Sequence, residues 1–378
     1  MMIRHTHRVL VAIALVTAFC CMSRAASASP FPLAQGIGDL SGRIGLVGST
    51  VPGDGDVNPY GTVVVPASMG DLVRDDVLIS NFNNRQNLQG TGTTIVELSP
   101  RGAMHVFAHI DASKLPGACP GGVGLTTALA VTSTGWVFVG SLPTTNGMSG
   151  TAKAGCILVL NRNGQVVETF SGAPINGPWD MTSDEQGQHV ALFVTNVLNG
   201  TLAGHGNVVN HGTIVRIDLN VSTGMMPKVT GMTVIGSGFS ERTDPAALVI
   251  GPTGVGLTPN HDALFVNDSL NNRIAAIMNP MTRMGSAGTG QTVTMGGALN
   301  DPLGLTVTAA GDILTVNGDD GFLVRTTEQG KQVGKLLLDN SGSPPGSGAL
   351  FGLALKPDDG GGLYFVDDAT NTLMLLRP

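Results

Sequence analysis

The stretch GPTGVGLTPNHDALFVNDSLNNRIAAI, residues 251–277, sets out the unit from which this chain is built. It begins with an apolar run that ends in a turn containing Pro259 and Asp262, since proline presets φ and aspartate side chains bond their own backbone. A second run, residues 263–267, carries the β-branched and aromatic residues typical of strands. After a further turn at 268–272 a third apolar run follows. The stretch therefore predicts strand, turn, strand, turn, strand.

The same unit recurs along the chain at a period of about 50 residues. The clearest later copies are DPLGLTVTAAGDILTVNGDDGFLV and FGLALKPDDGGGLYFVDDATNTLMLL, and looser copies begin near residues 59, 126 and 178. A short-strand unit repeated at this period indicates a repeat array or propeller. No long stretch keeps a 3.6-residue period, because Gly, Asn and Thr interrupt it. We therefore predict an all-β protein.

The residues that follow LFVN resemble a known repeat. Asp268, Asn271, Arg273 and Ile274 match the NHL repeat, whose usual form is a strand followed by D-x-x-N-x-R-I. Parts of the phrase recur in DATN, NVLN and NFNNR, which begin at Asp368, Asn196 and Asn81. The resemblance covers six units and implies a six-bladed β-propeller. It does not select a function, because propellers of this type serve as enzymes, ligand binders and interaction platforms.

The two ends of the repeat array are incomplete in complementary ways. The apolar run at 44–50 has the character of an outermost strand with no blade before it, and the last unit ends after its third strand. We predict that the N-terminal strand completes the last blade and closes the ring, which removes two open sheet edges. The predicted propeller is one domain, residues 43–378, preceded by an irregular lead-in at 29–42. Its blades are expected at about 59–111, 123–171, 176–238, 248–297, 300–340 and 347–378.

Residues 1–28 have the pattern of a secretory signal peptide. Arg4 and Arg8 precede an apolar run at 9–22, and Ala26-Ser27-Ala28 forms an A-x-A cleavage site. The apolar run is shorter than a bilayer-spanning helix requires, which disfavours a membrane anchor. We therefore predict a periplasmic or secreted protein without a membrane span after cleavage.

The charge of the chain bears on its partners. Cleavage would remove three arginines and no acids from a chain of formal charge −7, leaving −10. Basic residues do not cluster, so a nucleic-acid partner is not expected. We expect a monomer whose partner is another protein or a small molecule such as a sugar.

Polar residues recur where the second strand of a unit ends. These strand-end positions, taken with their neighbours, are Asn81, Ser141, Asn196, Asn267, Asp268, Asn317, Gly318, Asp367 and Asp368. Carboxylate and amide oxygens converging around a channel suit Ca²⁺ or Mg²⁺, and we take Asp268 and Asp368 as the metal candidates. The alternative is that both aspartates cap turns.

Two families of similar shape imply metal sites. Gluconolactonase-like propellers use such a ring together with a glutamate before the first inner strand. This chain has Asn58-Pro59-Tyr60 there, which speaks against lactonase chemistry. Amidating lyases imply a zinc site, for which His205 and His211 are candidates without a third ligand nearby in sequence.

The leading hypothesis is an exported, non-catalytic binding or protein-interaction propeller that requires no cofactor. Its ligand would lie at the rim where blades 1–3 carry long loops, at 81–93, 142–155 and 196–212. Trp179 is either a stacking platform or inter-blade packing. The alternative is a metal-dependent hydrolase or lyase that uses carboxylates and amides at the channel mouth. The ligand-binding candidates are Asn81, Trp179, Asp180, Asn196 and Asn317.

Two cysteines, Cys119 and Cys156, lie outside the predicted signal peptide. Both are expected at the same rim of blade 2, and an exported protein can oxidise them. We predict a disulfide between them. The alternative is two free thiols, with Cys156 packed in a strand.

Overall fold

The structure is a computed structural model, and it describes residue 40 and residues 42–222, 224–357 and 361–378. The predicted signal peptide and all of the lead-in except residues 40 and 42 lie outside the described residues. Within the described ranges, no helix has the length and apolar character needed to cross a membrane.

The chain forms six antiparallel sheets, each a blade whose first strand lines a central channel. The strands before and in blades 1 and 2 are β1 (Arg43–Ser49), β2 (Val57–Val64), β3 (Val77–Asn83), β4 (Thr94–Leu98), β5 (Met104–His109), β6 (Leu125–Val131), β7 (Val137–Ser141), β8 (Cys156–Leu160) and β9 (Val166–Ser171). Those of blades 3 and 4 are β10 (Gly177–Gln186), β11 (His189–Val197), β12 (Val209–Ser222), β13 (Met225–Asp244), β14 (Leu248–Ile250), β15 (Pro252–Leu257), β16 (Ala263–Asp268), β17 (Arg273–Met278) and β18 (Gln291–Met295). Those of blades 5 and 6 are β19 (Pro302–Val307), β20 (Ile313–Asn317), β21 (Phe322–Thr326), β22 (Gln332–Leu337), β23 (Leu350–Leu355), β24 (Leu363–Asp367) and β25 (Thr372–Arg377). Among the described residues the helical segments are one turn each, namely α1 (Thr201–Gly204) and 3₁₀ turns at Ala112–Lys114, Ser149–Thr151 and Ser269–Asn271.

Blade 6 is completed by the N-terminal strand, so the prediction of a six-bladed ring closed in this way is confirmed. β1 pairs antiparallel with β25, from Arg43 opposite Arg377 to Ser49 opposite Thr372. The next residue, Thr50, extends the contact between β1 and the C-terminal part of blade 6. Its N–H and hydroxyl both donate to the Asn371 carbonyl at 3.0 Å. Its own carbonyl accepts from Asn81 Nδ2 of blade 1 at 3.1 Å.

The inner strands approach one another closely around the channel. Four of the six inner strands have a glycine at the same position, as in Pro59-Tyr60-Gly61 and Pro302-Leu303-Gly304. A Cβ at Gly304 would lie 1.8 Å from the Phe351 carbonyl oxygen of blade 6, and one at Gly352 would lie 2.1 Å from that of Tyr60 in blade 1. Backbone therefore packs directly on backbone between these blades. The equivalent residue of blade 3 is Asp180, whose carboxylate accepts a hydrogen bond from the Val255 N–H of blade 4.

Blade 3 departs from the expected pattern. Residues 239–244, which lie between the expected bounds of blades 3 and 4, belong to the 20-residue strand β13, and β14 adds a fifth strand to the blade. The β13–β14 hairpin reaches over the channel mouth, where Gln89 Nε2 of blade 1 donates to the Pro245 carbonyl at 2.9 Å. Sequence patterning missed it because the turn between the two strands resembles an ordinary polar connection.

Apolar side chains plug the middle of the channel. Tyr60 stacks on Phe82 and Phe351 at centroid distances of 4.4 and 3.8 Å. Trp179 and Leu248 of the hairpin belong to the same buried cluster. The plug leaves one cavity of about 570 Å³ at the mouth where the inner strands begin, and another of about 440 Å³ at the opposite end.

We predict that removing β1 destabilises the ring far more than removing a tail. A chain starting at Val51 loses every β1–β25 pair and exposes the edge of β25. We expect its melting temperature to fall by about 5 °C or more, on a scale of roughly 2–4 °C per kcal/mol for domains somewhat smaller than this one. A chain starting at Leu40 is the control. Equal melting curves for the two chains, recorded by circular dichroism, would reject the closure mechanism.

Candidate functional site at the channel mouth

The cavity of about 570 Å³ lies where loops of blades 1, 4, 5 and 6 meet the β13–β14 hairpin. The polar residues that line it and bear on its chemistry are Asn58, Asn83, Arg242, Asp244, Asp301, Asp319 and Asp368. Four of these are carboxylic acids and one is a base. The cavity is therefore an acidic pocket with amides on its blade-1 side.

Asp368 is held by a chain of amides that starts in blade 1. Asn58 Nδ2 donates to both carboxylate oxygens of Asp368, at 2.8 and 3.1 Å, in the amide orientation that satisfies both ends of Asn58. In that orientation Asn58 Oδ1 accepts from Asn83 Nδ2 at 3.0 Å. The same Nδ2 donates to Asn87 Oδ1 at 2.6 Å. The amide chain fixes the carboxylate, as preorganised catalytic groups require.

The environment of Asp368 shifts its protonation. Burial, and then the charge of Asp367, raise the pKa of Asp368 to about 7, and the hydrogen bonds that Asn58 donates to the carboxylate oppose this rise. Burial and the Asp368 charge also raise the pKa of the neighbouring Tyr60 hydroxyl well above its usual value, although a hydrogen bond with Asn58 opposes this. At neutral pH the Tyr60 hydroxyl therefore keeps its proton and can donate a hydrogen bond beside a carboxyl group whose pKa is close to that pH. A carboxyl group with a pKa near the working pH suits general acid–base chemistry.

A second group of charges lies on the blade-5 side of the cavity. Arg242 Nη1 of the hairpin pairs with Asp244 Oδ2 at 2.6 Å. Burial, and then the charges of Asp319 and Asp244, raise the pKa of Asp301 to about 7, while Arg242 opposes them. Burial and the charges of Asp320 and Asp244 raise the pKa of Asp319 as well. These carboxyl groups repel one another, and Arg242 compensates only part of the repulsion.

The two predicted metal candidates lie in different environments. Asp268 is 1% exposed and is paired with Arg273, whose Nε and Nη2 approach the same oxygen at 3.0 and 2.9 Å. Strand register also distinguishes them. Asp268 lies opposite Pro252, the first residue of β15, whereas the residue opposite Leu350, the first residue of β23, is Asp367 and not Asp368. Asp268 therefore corresponds to Asp367 in the structure. The match of Asp268 with Asp368 in the repeat phrase is off by one residue. Only Asp368 reaches the mouth cavity.

The described residues do not bring the predicted metal candidates together with further acidic, histidine or cysteine ligands. Within the described ranges, no group of three or more His, Cys, Asp or Glu side chains is placed to hold a metal ion. Asn58 stands where the gluconolactonase-like resemblance implies a glutamate, and its amide is used by Asp368. Of the zinc candidates, His211 Nδ1 lies 2.9 Å from the Asn199 carbonyl oxygen, and His205 ends α1. No step of the chemistry below passes through a metal.

Trp179 and Asp180 lie away from the mouth cavity. Trp179 is 6% exposed and packs in the channel plug, which corresponds to its packing alternative. Asp180 lines the opposite cavity. Its carboxylate accepts from the N–H groups of Met181 at 2.8 Å and of Val255 in blade 4 at 3.1 Å. Burial nevertheless raises the pKa of Asp180 to about 8.

The predicted asparagines hold strand ends together. Asn196 accepts from the N–H groups of Asn176 and Gly177 at 2.7 and 2.9 Å. Asn317 donates to the Ala298 carbonyl at 2.8 Å, and Asn81 donates to Thr50. All three are at most 1% exposed, and none lines the mouth cavity. Their place in the structure is that of buried turn residues.

Cys119 and Cys156 are joined by a disulfide, with a Cα–Cα distance of 5.2 Å across 37 residues of sequence. Cys156 begins β8, and Cys119 lies in the connection from blade 1 to blade 2. The bridge ties this connection to the third strand of blade 2, so it anchors the loops beside the rim rather than the cavity itself.

Asp301, Asp319 and Arg242 were missed by sequence reasoning. A signal did exist for Asp301, since it precedes the proline of DPLG as Asn58 precedes that of NPYG. Both residues have positive φ, 52° and 62°, which turns their side chains at the start of the inner strand. Arg242 carried no such signal, because its hairpin was not predicted.

Comparisons with known proteins identify the fold. No protein-family model matches the chain, and no curated protein matches its sequence. Solved structures do match it. A gluconolactonase from Xanthomonas campestris is 13% identical with a TM-score of 0.55, covering 89% of both chains. Regucalcin from Agrobacterium tumefaciens, described as calcium-binding, is 12% identical with a TM-score of 0.51, covering 85% of this chain and 90% of that one. A luciferin-regenerating enzyme is 10% identical with a TM-score of 0.53, covering 89% and 95%.

These comparisons correct the leading functional hypothesis. The matching propellers include a gluconolactonase and a luciferin-regenerating enzyme. The prediction of a non-catalytic binding or interaction protein is contradicted, because propellers of the same fold include these enzymes. The resemblance to the NHL repeat is supported only as a six-bladed propeller. Likeness at this level of identity establishes the fold, so the activity of this chain has to be argued from its own residues.

The buried carboxyl groups predict that stability decreases as pH rises. The pKa values of Asp180 and Glu241 are about 8 in the folded protein, against ordinary values of 3.8 and 4.5. Between those values the folded state binds more protons than the unfolded state, so the free energy of unfolding falls as pH increases. We expect a loss of more than about 1 kcal/mol from pH 5 to pH 8, since one pKa unit corresponds to about 1.4 kcal/mol.

Urea titrations at both pH values measure this loss. Asp180→Asn, which removes one of the titrating groups, is expected to be less stable at every pH but to show a smaller difference between pH 5 and pH 8. Stability that is constant or rises over this range would contradict the prediction.

Proposed function

We propose that the protein is a hydrolase that opens a cyclic ester of a small hydroxylated molecule, with Asp368 as general base. The observation that carries this proposal is the carboxyl group of Asp368 in the mouth cavity, held by Asn58 and with a pKa of about 7. A cavity of about 570 Å³ accommodates a single sugar-sized ring. Support also comes from the shared fold of a protein described as a gluconolactonase.

The proposed reaction uses water as the nucleophile. The Asp368 carboxylate takes a proton from water as the water oxygen bonds to the carbonyl carbon of the lactone. The bond from that carbon to the ring oxygen then breaks, and the ring oxygen receives the proton from Asp368. The products are one hydroxy acid and the regenerated carboxylate. Asn58 orients Asp368 throughout.

Negative charge develops on the carbonyl oxygen during this attack, and donors at the cavity offset it. The Tyr60 hydroxyl is protonated at neutral pH and lies beside Asp368 and Asn58. Arg242 lines the cavity and uses Nη1 for its contacts with Asp244 and Thr243. Donors placed where charge develops lower the barrier, because they need no reorganisation.

The decisive variant is Asp368→Asn. We expect kcat/KM for D-gluconolactone to fall by about 10²–10⁴, the usual contribution of general base catalysis. The wild-type rate should rise with pH through about pH 7, because the base must be ionised. Acid release in the presence of a pH indicator, corrected for spontaneous hydrolysis, measures both effects. Asp75→Asn, at an exposed turn with positive φ, is the matched control.

Two results would count against the proposal. An Asp368→Asn variant with wild-type activity would remove Asp368 from the mechanism. Loss of activity after EDTA treatment, with recovery on adding Ca²⁺ or Zn²⁺, would show that a metal performs the chemistry assigned to the carboxylate.

A further inference from the structure

The mouth cavity is lined by more acidic than basic side chains. Its lining contains the four carboxyl groups of Asp244, Asp301, Asp319 and Asp368, and the only basic side chain among the described lining residues is Arg242. A ligand complementary to this lining has to supply hydrogens and positive charge. This feature bears on the substrate class, and the inference drawn from it deepens the proposed function.

One basic side chain cannot neutralise the charge of four carboxyl groups. Arg242 is paired with Asp244, and Asn58 donates to Asp368. In the described part of the chain, neither the Asp301 nor the Asp319 carboxylate receives a hydrogen bond or an ion pair. Both line the same side of the cavity, on either side of Gly318, whose Cβ position lies 2.7 Å from Asp301 Oδ2. The negative charges of Asp301 and Asp319 have no basic partner of their own, so they disfavour an anionic ligand and favour a cationic one.

A separate observation on the blade-1 side points to a donor-bearing ligand. Asn83 lines the cavity and is 2% exposed, yet its Oδ1 has no hydrogen-bond partner among the described residues. Its Nδ2 is fully used by Asn87 and Asn58. A buried acceptor without a partner costs free energy, and a bound hydroxyl or ammonium group would recover it.

We propose that the substrate carries a protonated amino group, which Asp301 and Asp319 bind while the ester faces Asp368. A hydroxyl group of the same molecule donates to Asn83 Oδ1. The substrate class is thus an amino-substituted, hydroxylated cyclic ester, such as a lactone derived from an amino sugar. A neutral polyol would satisfy Asn83 but leave the two carboxylates without a counter-charge.

Glucosamine and glucose test this directly, because they differ by one amino group in place of one hydroxyl. By isothermal titration at pH 7 and low salt, we expect glucosamine to bind at least about tenfold more tightly, which corresponds to about 1.4 kcal/mol. The Asp301→Asn/Asp319→Asn variant should bind the two sugars equally. Asparagine tolerates the positive φ of 52° at position 301, so the variant is compatible with the fold. Asp75→Asn should retain the preference.

Equal affinity of the wild-type protein for both sugars would overturn the inference, as would a preference that persists in the double variant. Absence of measurable binding of either sugar would overturn it too. The titration needs no turnover, so it is separate from the test of the hydrolase. A glucosamine preference without lactone hydrolysis would reject the proposed reaction alone, whereas hydrolysis without the preference would reject the substrate class alone.

Discussion

The pairing of β1 with β25 is the interaction on which the rest of the molecule depends. It joins the start of the propeller to its last blade, covers the edge of β25 and gives blade 6 its fourth strand. The same seam positions the candidate site. Asn371, in the turn between β24 and β25, accepts from Thr50 through its carbonyl and from the Asn58 N–H through its side chain, at 2.7 Å. Because Asn58 in turn holds Asp368, ring closure and site geometry share one set of hydrogen bonds.

The wide mouth of the ring is narrowed by one irregular blade. The β13–β14 hairpin spans from blade 3 to the blade-1 loop, and its Leu248 enters the channel plug. This closes the blade-2 side of the mouth and brings Arg242 and Asp244 to face Asp301. The hairpin thereby narrows the channel end to a cavity of about 570 Å³. As a result several carboxyl groups are buried or close to one another, which is usual at functional sites.

The matching propellers share the fold of this chain. A gluconolactonase and regucalcin are alike in fold at 13% and 12% identity. In this chain an asparagine, Asn58, stands where the lactonase resemblance implies a metal-ligating glutamate, and it serves a carboxylate instead. A carboxylate fixed by amides can activate water by itself. Fold likeness and site chemistry therefore have to be weighed separately, since one ring can host different reactions.

The sequence by itself determined the architecture. The period of the strand phrase and the orphan strand at 44–50 were enough to predict six blades and their closure, because strand patterning and unpaired edges are local properties. The seam between β1 and β25 followed from counting strands. The presence of acids and amides at strand ends was visible for the same reason, and it led to Asp368.

Only the tertiary structure decided which polar residues meet. Asp268 and Asp368 look equivalent in sequence, yet one residue of register turns the first toward Arg273 and leaves the second in the cavity. The sequence allowed Trp179 to be either a stacking platform or inter-blade packing, and its burial in the channel plug supports packing. Arg242 reaches the mouth on the β13–β14 hairpin, which was not predicted because its polar residues are typical of a loop. Side-chain direction alternates with every residue of a strand, so a site built from six blades depends on registers that no single stretch of sequence records.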